Sequence, residues 1–301
     1  MIKKKNQNLY CYLIPLLLGV ITSFSLPPYN FLIINFLTFP LLLFFFIEIK
    51  KKNSFWLSFI VGWFFGIGYF FSNIYWIVYS LTFEDIFKPL IPIALILIPS
   101  FLGLFYGIIT LAASRLKLEK NFSSILIFSL LFAVVEFFRG FVLGGFPWNL
   151  IVYSWTSYLD SLQILSLIGT YSFNLISITI FLLPTVIFFK KNLKFKLISF
   201  IFLLVILASN HFYGFQKIKN NEKLYTEFKD FKIKLISPKI SIERFFQPNN
   251  EEAIIEELIE LSNPNILHNT VFIFPEGALA GVNLDQLKSF KEVFSKKFSE
   301  S

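Results

Sequence analysis

Long apolar runs separated by short polar stretches fill the first two-thirds of this 301-residue chain, and a shorter-period pattern takes over beyond them. Seven runs are long enough for a helix to cross a hydrocarbon layer, which takes roughly 20 residues for about 30 Å. They cover residues 9–26, 31–49, 55–81, 90–114, 122–138, 162–189 and 193–209. Beyond residue 209 the pattern shortens. Phe231-Lys232-Ile233-Lys234-Leu235-Ile236 alternates apolar and polar side chains as a strand does. Residues 251–261 repeat with helical spacing, with Asn249 or Asn250 as N-cap and acids in the first turn. Thr270-Val271-Phe272-Ile273-Phe274 reads as a buried strand, and residues 283–298 place Leu284, Leu287, Phe290 and Phe294 at helical intervals. The predicted fold is a polytopic α-helical membrane bundle of about seven helices over residues 1–209, followed by a β-α-β-α segment over residues 210–301. That order implies a parallel sheet, and such sheets carry their chemistry at the carboxyl ends of strands. Two strands and two helices cannot cover both faces of a parallel sheet, so the tail reads as the beginning of a larger domain.

Composition agrees with the runs: 55% of residues are hydrophobic, 20% aromatic and only 15% charged. Charge then orients them. Lys3, Lys4 and Lys5, Lys50 to Lys52, Arg115, Lys117 and Lys120, and Lys190, Lys191, Lys194 and Lys196 all fall in alternate loops. The other side, up to the last run, holds only Lys88 and Arg139. Positive loops stay in the cytoplasm, so the amino terminus is cytoplasmic and the tail lies outside. The net charge of +8 comes from these loops and implies no nucleic-acid partner. Residues 1–8 and the run after them mimic a signal peptide, but no small-residue cleavage site comes after it, so they are read as a membrane helix. The tail holds acids and bases in near balance, as a soluble domain does. The single cysteine, Cys11, offers no disulfide within these residues and no cysteine-rich metal site, and His211 and His268 read as isolated surface or boundary histidines.

The candidate chemistry sits in Val-Glu-Phe-Phe-Arg-Gly-Phe-Val-Leu-Gly-Gly-Phe-Pro-Trp-Asn-Leu, residues 135–150. Glu136 and Arg139 are three apart, hence on one helix face, at the end of an apolar run. An ionisable group at membrane depth costs roughly 2.5–3.5 kcal/mol, so a pair there needs a reason. Gly144, Gly145 and Pro147 break the helix, and Trp148 suits the headgroup layer. Two readings stand: an ion pair closing a helix end before an interfacial turn, or the lip of a lipid-facing active site. Upstream, Gly62, Gly66 and Gly68 allow close helix approach, and Asn73-Ile74-Tyr75-Trp76 reads as an interfacial anchor. In the tail, Glu276 comes directly after the second strand, where a carboxylate serves as a general base or as a loop cap.

Taken in order, these pieces resemble the apolipoprotein N-acyltransferase family. The resemblance runs from Leu18-Gly19 and Ser25-Leu26-Pro27-Pro28-Tyr29 through Gly62-Trp63-Phe64-Phe65-Gly66 and Asn73 to Trp76. It is strongest at Glu136-Phe137-Phe138-Arg139-Gly140, Gly145-Phe146-Pro147-Trp148 and Tyr153-Ser154. Leu235-Ile236-Ser237-Pro238 to Phe245, and Phe274-Pro275-Glu276 in place of Trp-Pro-Glu, extend it into the tail. The resemblance implies an inner-membrane enzyme with a periplasmic nitrilase-like α/β domain. It moves an acyl chain from a phospholipid donor to the amine of a diacylated apolipoprotein acceptor, without metal or cofactor. It also implies a glutamate base matched by Glu276, with a lysine for the oxyanion and a cysteine nucleophile expected further along than residue 301. Arg139, Phe146, Trp148 and Phe245 become candidates for substrate binding, and Glu136 and Pro147 for structural support.

The match covers nearly all of this chain but two-thirds or less of the family's usual length. The competing class is therefore a catalytically incomplete, lipid-binding membrane protein; a transporter fits less well, since the spans hold no relay of charges. Cys11, towards the cytoplasmic end of the first run, is not placed to replace the missing nucleophile. Ser237, Ser241 and Ser262 lack an imidazole or lysine to activate them. Residues 1–301 by themselves are thus expected to form no acyl-enzyme. The orientation has its own test: a phosphatase reporter fused at Lys52 should be silent and one at Lys239 active, and the opposite pattern reverses the topology.

Overall fold

The computed structural model describes residues 2–50, 54–116, 118–189, 191–225, 232–238, 251–263, 270–278, 291 and 295. They belong to two compact units, Met1–Ile218 and Lys219–Ser301. The first is helical: α1 (Ile2–Ser23), α2 (Asn35–Lys50), α3 (Phe55–Ile74), α4 (Ile91–Arg115), α5 (Phe122–Arg139), the single turn α6 (Leu159–Leu162), α7 (Leu165–Leu182) and α8 (Leu193–Tyr225). α3 continues as a 3-10 helix over Tyr75–Thr82, and another over Asp85–Leu90 leads into α4. Among the described residues six helical stretches are long and apolar enough to cross a membrane, rather than the seven expected. The first run is the exception: its apolar part is the shorter Leu9–Ser23, because the lysines precede it and the chain turns at Phe24. α8 runs past the expected boundary at residue 209, through the start of the second unit.

Glycines set how the bundle packs. A Cβ on Gly66 would lie 2.6 Å from Gly103 Cα, so α3 and α4 touch backbone to backbone at that level. Gly62 meets the Tyr106 backbone of α4, while Gly68 meets the Leu16 carbonyl of α1. Small residues at such spacing permit close approach where a larger side chain would force helices apart by overpacking. Around these contacts Phe39, Phe65, Phe132 and Phe181 are fully buried and meet mostly edge to face, with Phe39 and Phe132 centroids 5.6 Å apart. Midway along α8, Asn210 Nδ2 donates to the Ser161 carbonyl at 3.2 Å, and His211 Nδ1 lies 3.3 Å from Asp160. His211 is therefore not isolated.

In the second unit β1 (Lys232–Leu235) pairs in parallel with β2 (Thr270–Ile273), Lys232 opposite Thr270 and Leu235 opposite Ile273. Between them in sequence lies α9 (Glu251–Ser262). Ile236, Ile254, Leu258 and Ala278 form a small core, with Phe272 and Phe274 packed on it. β2 is not the buried strand expected: Val271 and Ile273 are 48% and 46% exposed. With the period of two, Phe272 turns to the small core and its neighbours turn away from it. The expected helix over residues 283–298 lies outside the described residues except for Lys291 and Ser295, which are helical.

Candidate functional site

α5 begins with an Asn121 cap, whose Oδ1 accepts from the Ser124 amide at 2.9 Å, and ends at Arg139. The chain then departs sharply from a helix. Leu143, Gly144 and Gly145 have φ of 56°, 86° and 79°, three left-handed residues in succession. Leu143 is the only one of the three with a side chain to suffer there; such a conformation costs about 1–3 kcal/mol and persists only when its surroundings over-determine it. The base of this loop is indeed closed: Phe146 N–H donates to the Arg139 carbonyl at 2.9 Å, and Gly145 N–H to the Val142 carbonyl at 3.0 Å.

Irregular backbone at the end of a membrane span leaves carbonyls and amides that no helix satisfies, and side chains from four helices meet them or support the groups that do. Arg139 Nη1 donates to the carbonyls of Phe146 at 2.6 Å and Trp148 at 2.9 Å. The Tyr69 hydroxyl of α3 donates to the Asn149 carbonyl at 3.0 Å. Asn174 of α7 accepts from Val152 N–H at 2.9 Å through its Oδ1. The Nδ2 of the same Asn174 donates to Glu136 Oε2 at 2.5 Å, and the Tyr106 hydroxyl of α4 donates to Glu136 Oε1 at 2.7 Å. Arg139 Nη2 stands 3.7 Å from Glu136 Oε1, an ion pair without a short hydrogen bond. Both charged side chains are fully buried. The pair expected from spacing is present, but the direct bonds of the arginine go to the turn and those of the glutamate to Tyr106 and Asn174. The guanidinium divides its work, Nη1 serving both carbonyls while Nη2 faces Glu136, and Phe70 adds its ring face 5.1 Å from the guanidinium carbon.

Beside this knot lies an open-sided cavity of about 460 Å³, almost wholly apolar. α4 supplies one wall with Leu97, Phe101 and Phe105, and the turn supplies the other with Leu143, Gly145 and Phe146, with Arg139 between. Trp148 is half exposed at the rim, its ring 5.4 Å from Phe146 and 5.6 Å from Trp76. Trp76 in turn donates from Nε1 to the Asn73 carbonyl, so the anchor read from Asn73 to Trp76 joins the same rim. Pro147 lies inside the turn, its carbonyl accepting from the Tyr153 hydroxyl at 3.4 Å.

The tail residues stand apart from this site in the sequence. Glu276 occupies the turn after β2, at the carboxyl end of the strand, and is exposed. Ser262 Oγ donates back to the Leu258 carbonyl at 2.6 Å, Ser237 is exposed, and Phe245 and Ser241 lie outside the described residues. Cys11 is buried in the core of the first unit. Tyr69, Tyr106 and Asn174 escaped the sequence reading. The one available signal was Asn174, an amide in the middle of an apolar run.

A family model for the apolipoprotein N-acyltransferase N-terminal domain matches residues 18–183, more than half of the chain and all of the knot. The chain belongs to the apolipoprotein N-acyltransferase family. An apolipoprotein N-acyltransferase of Rhodopseudomonas palustris is 33% identical over 177 residues, 58% of this chain and 33% of that protein. Those of Agrobacterium fabrum and Brucella melitensis are 29% and 26% identical over 81% and 87% of this chain, which amount to 46% and 50% of their own lengths. The chain thus spans a third to a half of the curated relatives it matches.

Removing one member of a buried ion pair strands the other, at about 3–5 kcal/mol, whereas one lost buried hydrogen-bond partner costs about 1–3 kcal/mol. Glu136→Ala should therefore lower stability in detergent more than Tyr106→Phe, which removes the one bond from the Tyr106 hydroxyl to Glu136. Thermal unfolding of the two variants checks the order, and a neutral Glu136→Ala would contradict the network.

Proposed function

We infer that this chain supplies the membrane part and the beginning of the nitrilase-like domain of an enzyme that N-acylates lipoproteins. The observation that carries the reading is that the family match spans the whole elbow and the groove beside it. In this reading the groove takes an acyl chain of a phospholipid from the bilayer, and the tryptophans of the rim keep its mouth at headgroup depth. Six apolar helices make the protein multi-pass. The loop charges favour a rim and a tail on the periplasmic side of the inner membrane.

The chemistry is that of the family's pattern. A cysteine thiol loses its proton to Glu276, and the thiolate attacks the phospholipid ester carbon. A lysine balances the charge on the oxyanion, and collapse of the tetrahedral intermediate expels the lysophospholipid alkoxide, which takes up a proton. The thioester is then opened by the α-amino group of a diacylglyceryl cysteine at a lipoprotein amino terminus, which forms an amide and frees the thiol. The position of Glu276 at the carboxyl end of a parallel strand is what supports its role as the base. Arg139, Phe146 and Trp148 shape the wall and rim of the lipid site, and Phe245 contributes to substrate contact from the tail. Arg139, fully buried and bonded to two carbonyls, works by holding the turn and reaches a donor phosphate only if the mouth opens.

The test uses a complete chain carrying the family's lysine and cysteine, incubated with phospholipid and monitored by intact-protein mass spectrometry. Glu276→Gln should abolish the acylated intermediate in protein of normal stability. Thioester accumulation at the unmodified rate would remove Glu276 from the mechanism.

A further inference from the structure

A chain of polar contacts links the two walls of the apolar groove. On α4, Leu97, Phe101 and Phe105 face the cavity, and the next residue, Tyr106, turns its hydroxyl to Glu136 Oε1 at 2.7 Å. Glu136 Oε1 lies 3.7 Å from Arg139 Nη2, and Arg139 Nη1 holds the Phe146 carbonyl at 2.6 Å. Phe146 and Gly145 form the opposite wall. The Tyr106 ring has no freedom to relax, being buried between Phe70 and Phe132 with centroids 5.2 and 5.0 Å away. Each link is a charged or charge-assisted contact in a water-poor interior, the setting in which such contacts hold geometry best.

We propose that Tyr106 is a positioning residue that fixes the width of the groove and so selects acyl chains by shape. Straight saturated chains fit the held width, and chains kinked by a cis double bond are disfavoured. This rests on the reading of the groove as the phospholipid acyl site. Tyr106 does not touch the reacting atoms: its effect passes through Glu136 and Arg139 to Phe146. Loss of the hydroxyl breaks this link between α4 and the turn, which loosens discrimination while the chemical step is left to the other domain.

The experiment compares complete enzyme carrying Tyr106→Phe with the unmodified form on phosphatidylethanolamines that bear saturated or cis-monounsaturated chains. The kcat/KM ratio of the two donors should move by about fivefold towards the unsaturated one, the size of one lost buried hydrogen bond, through KM more than kcat. Thr179→Val is the control. It removes the Thr179 to Ser129 hydrogen bond of 2.9 Å between α7 and α5, outside the chain of contacts, and should lower stability without moving the ratio. Spin labels at Leu97 and Leu143, both exposed on opposite walls, read the same effect without turnover. Their distance distribution should broaden in Tyr106→Phe and not in Thr179→Val. A phospholipid with a photoactivatable acyl chain separates the role of Tyr106 from the role of the groove. Crosslinks to α4 and the turn with an unchanged ratio and distance distribution would overturn the role of Tyr106 and leave the groove standing. Crosslinks elsewhere only would overturn both.

Discussion

A membrane span that ends in irregular backbone must find partners for its peptide groups within the protein, and that requirement organises this bundle. Residues 140–152 leave the helix through four left-handed positions and a proline. Arg139, at the last turn of α5, answers for two of the exposed carbonyls with one nitrogen. A buried guanidinium needs a counter-charge, which Glu136 provides one turn back. A buried carboxylate needs donors, which Tyr106 and Asn174 provide from two further helices. Each demand creates the next, and the chain of demands closes when Asn174 reaches Val152, just beyond the turn.

The glycine contacts make this closure possible. Gly66 and Gly103 meet one turn before Tyr69 and Tyr106, so the closest approach of α3 and α4 lies beside the two tyrosines. Their rings stand 5.9 Å apart, one hydroxyl bonded to the turn and the other to the glutamate. A stripe of small residues, which by itself only brings helices together, here sets two donors at the depth where the span ends. The groove lies between α4 and the turn, and inherits its shape from both.

Much of this architecture was legible in the chain. Run lengths, the break after Arg139, the Glu136 and Arg139 face, the small-residue spacing and the parallel β1 and β2 pairing all come from local rules. The rest depends on contacts distant in sequence. Tyr106 and Asn174 lie 30 and 38 residues from Glu136, and nothing near them marks them as its donors. The Glu136 partner of Arg139 was legible but its backbone bonds were not, because spacing shows which side chains share a face, whereas the short bonds of the arginine run to carbonyls beyond the helix. The exposure of alternate residues in β2 depends on how many strands and helices cover it, which period and composition do not reveal.

The claim that Arg139 holds the turn is tested most directly by amide hydrogen exchange in detergent, resolved to peptides covering residues 140–152. A lysine at this position keeps the charge on a single nitrogen, which cannot serve the two carbonyls and face Glu136 as the two ends of the guanidinium do. In Arg139→Lys the turn should exchange at least about tenfold faster, as expected for the loss of one charge-assisted contact, while the first half of α5 keeps its protection. Equal protection of the turn in both proteins would contradict the account.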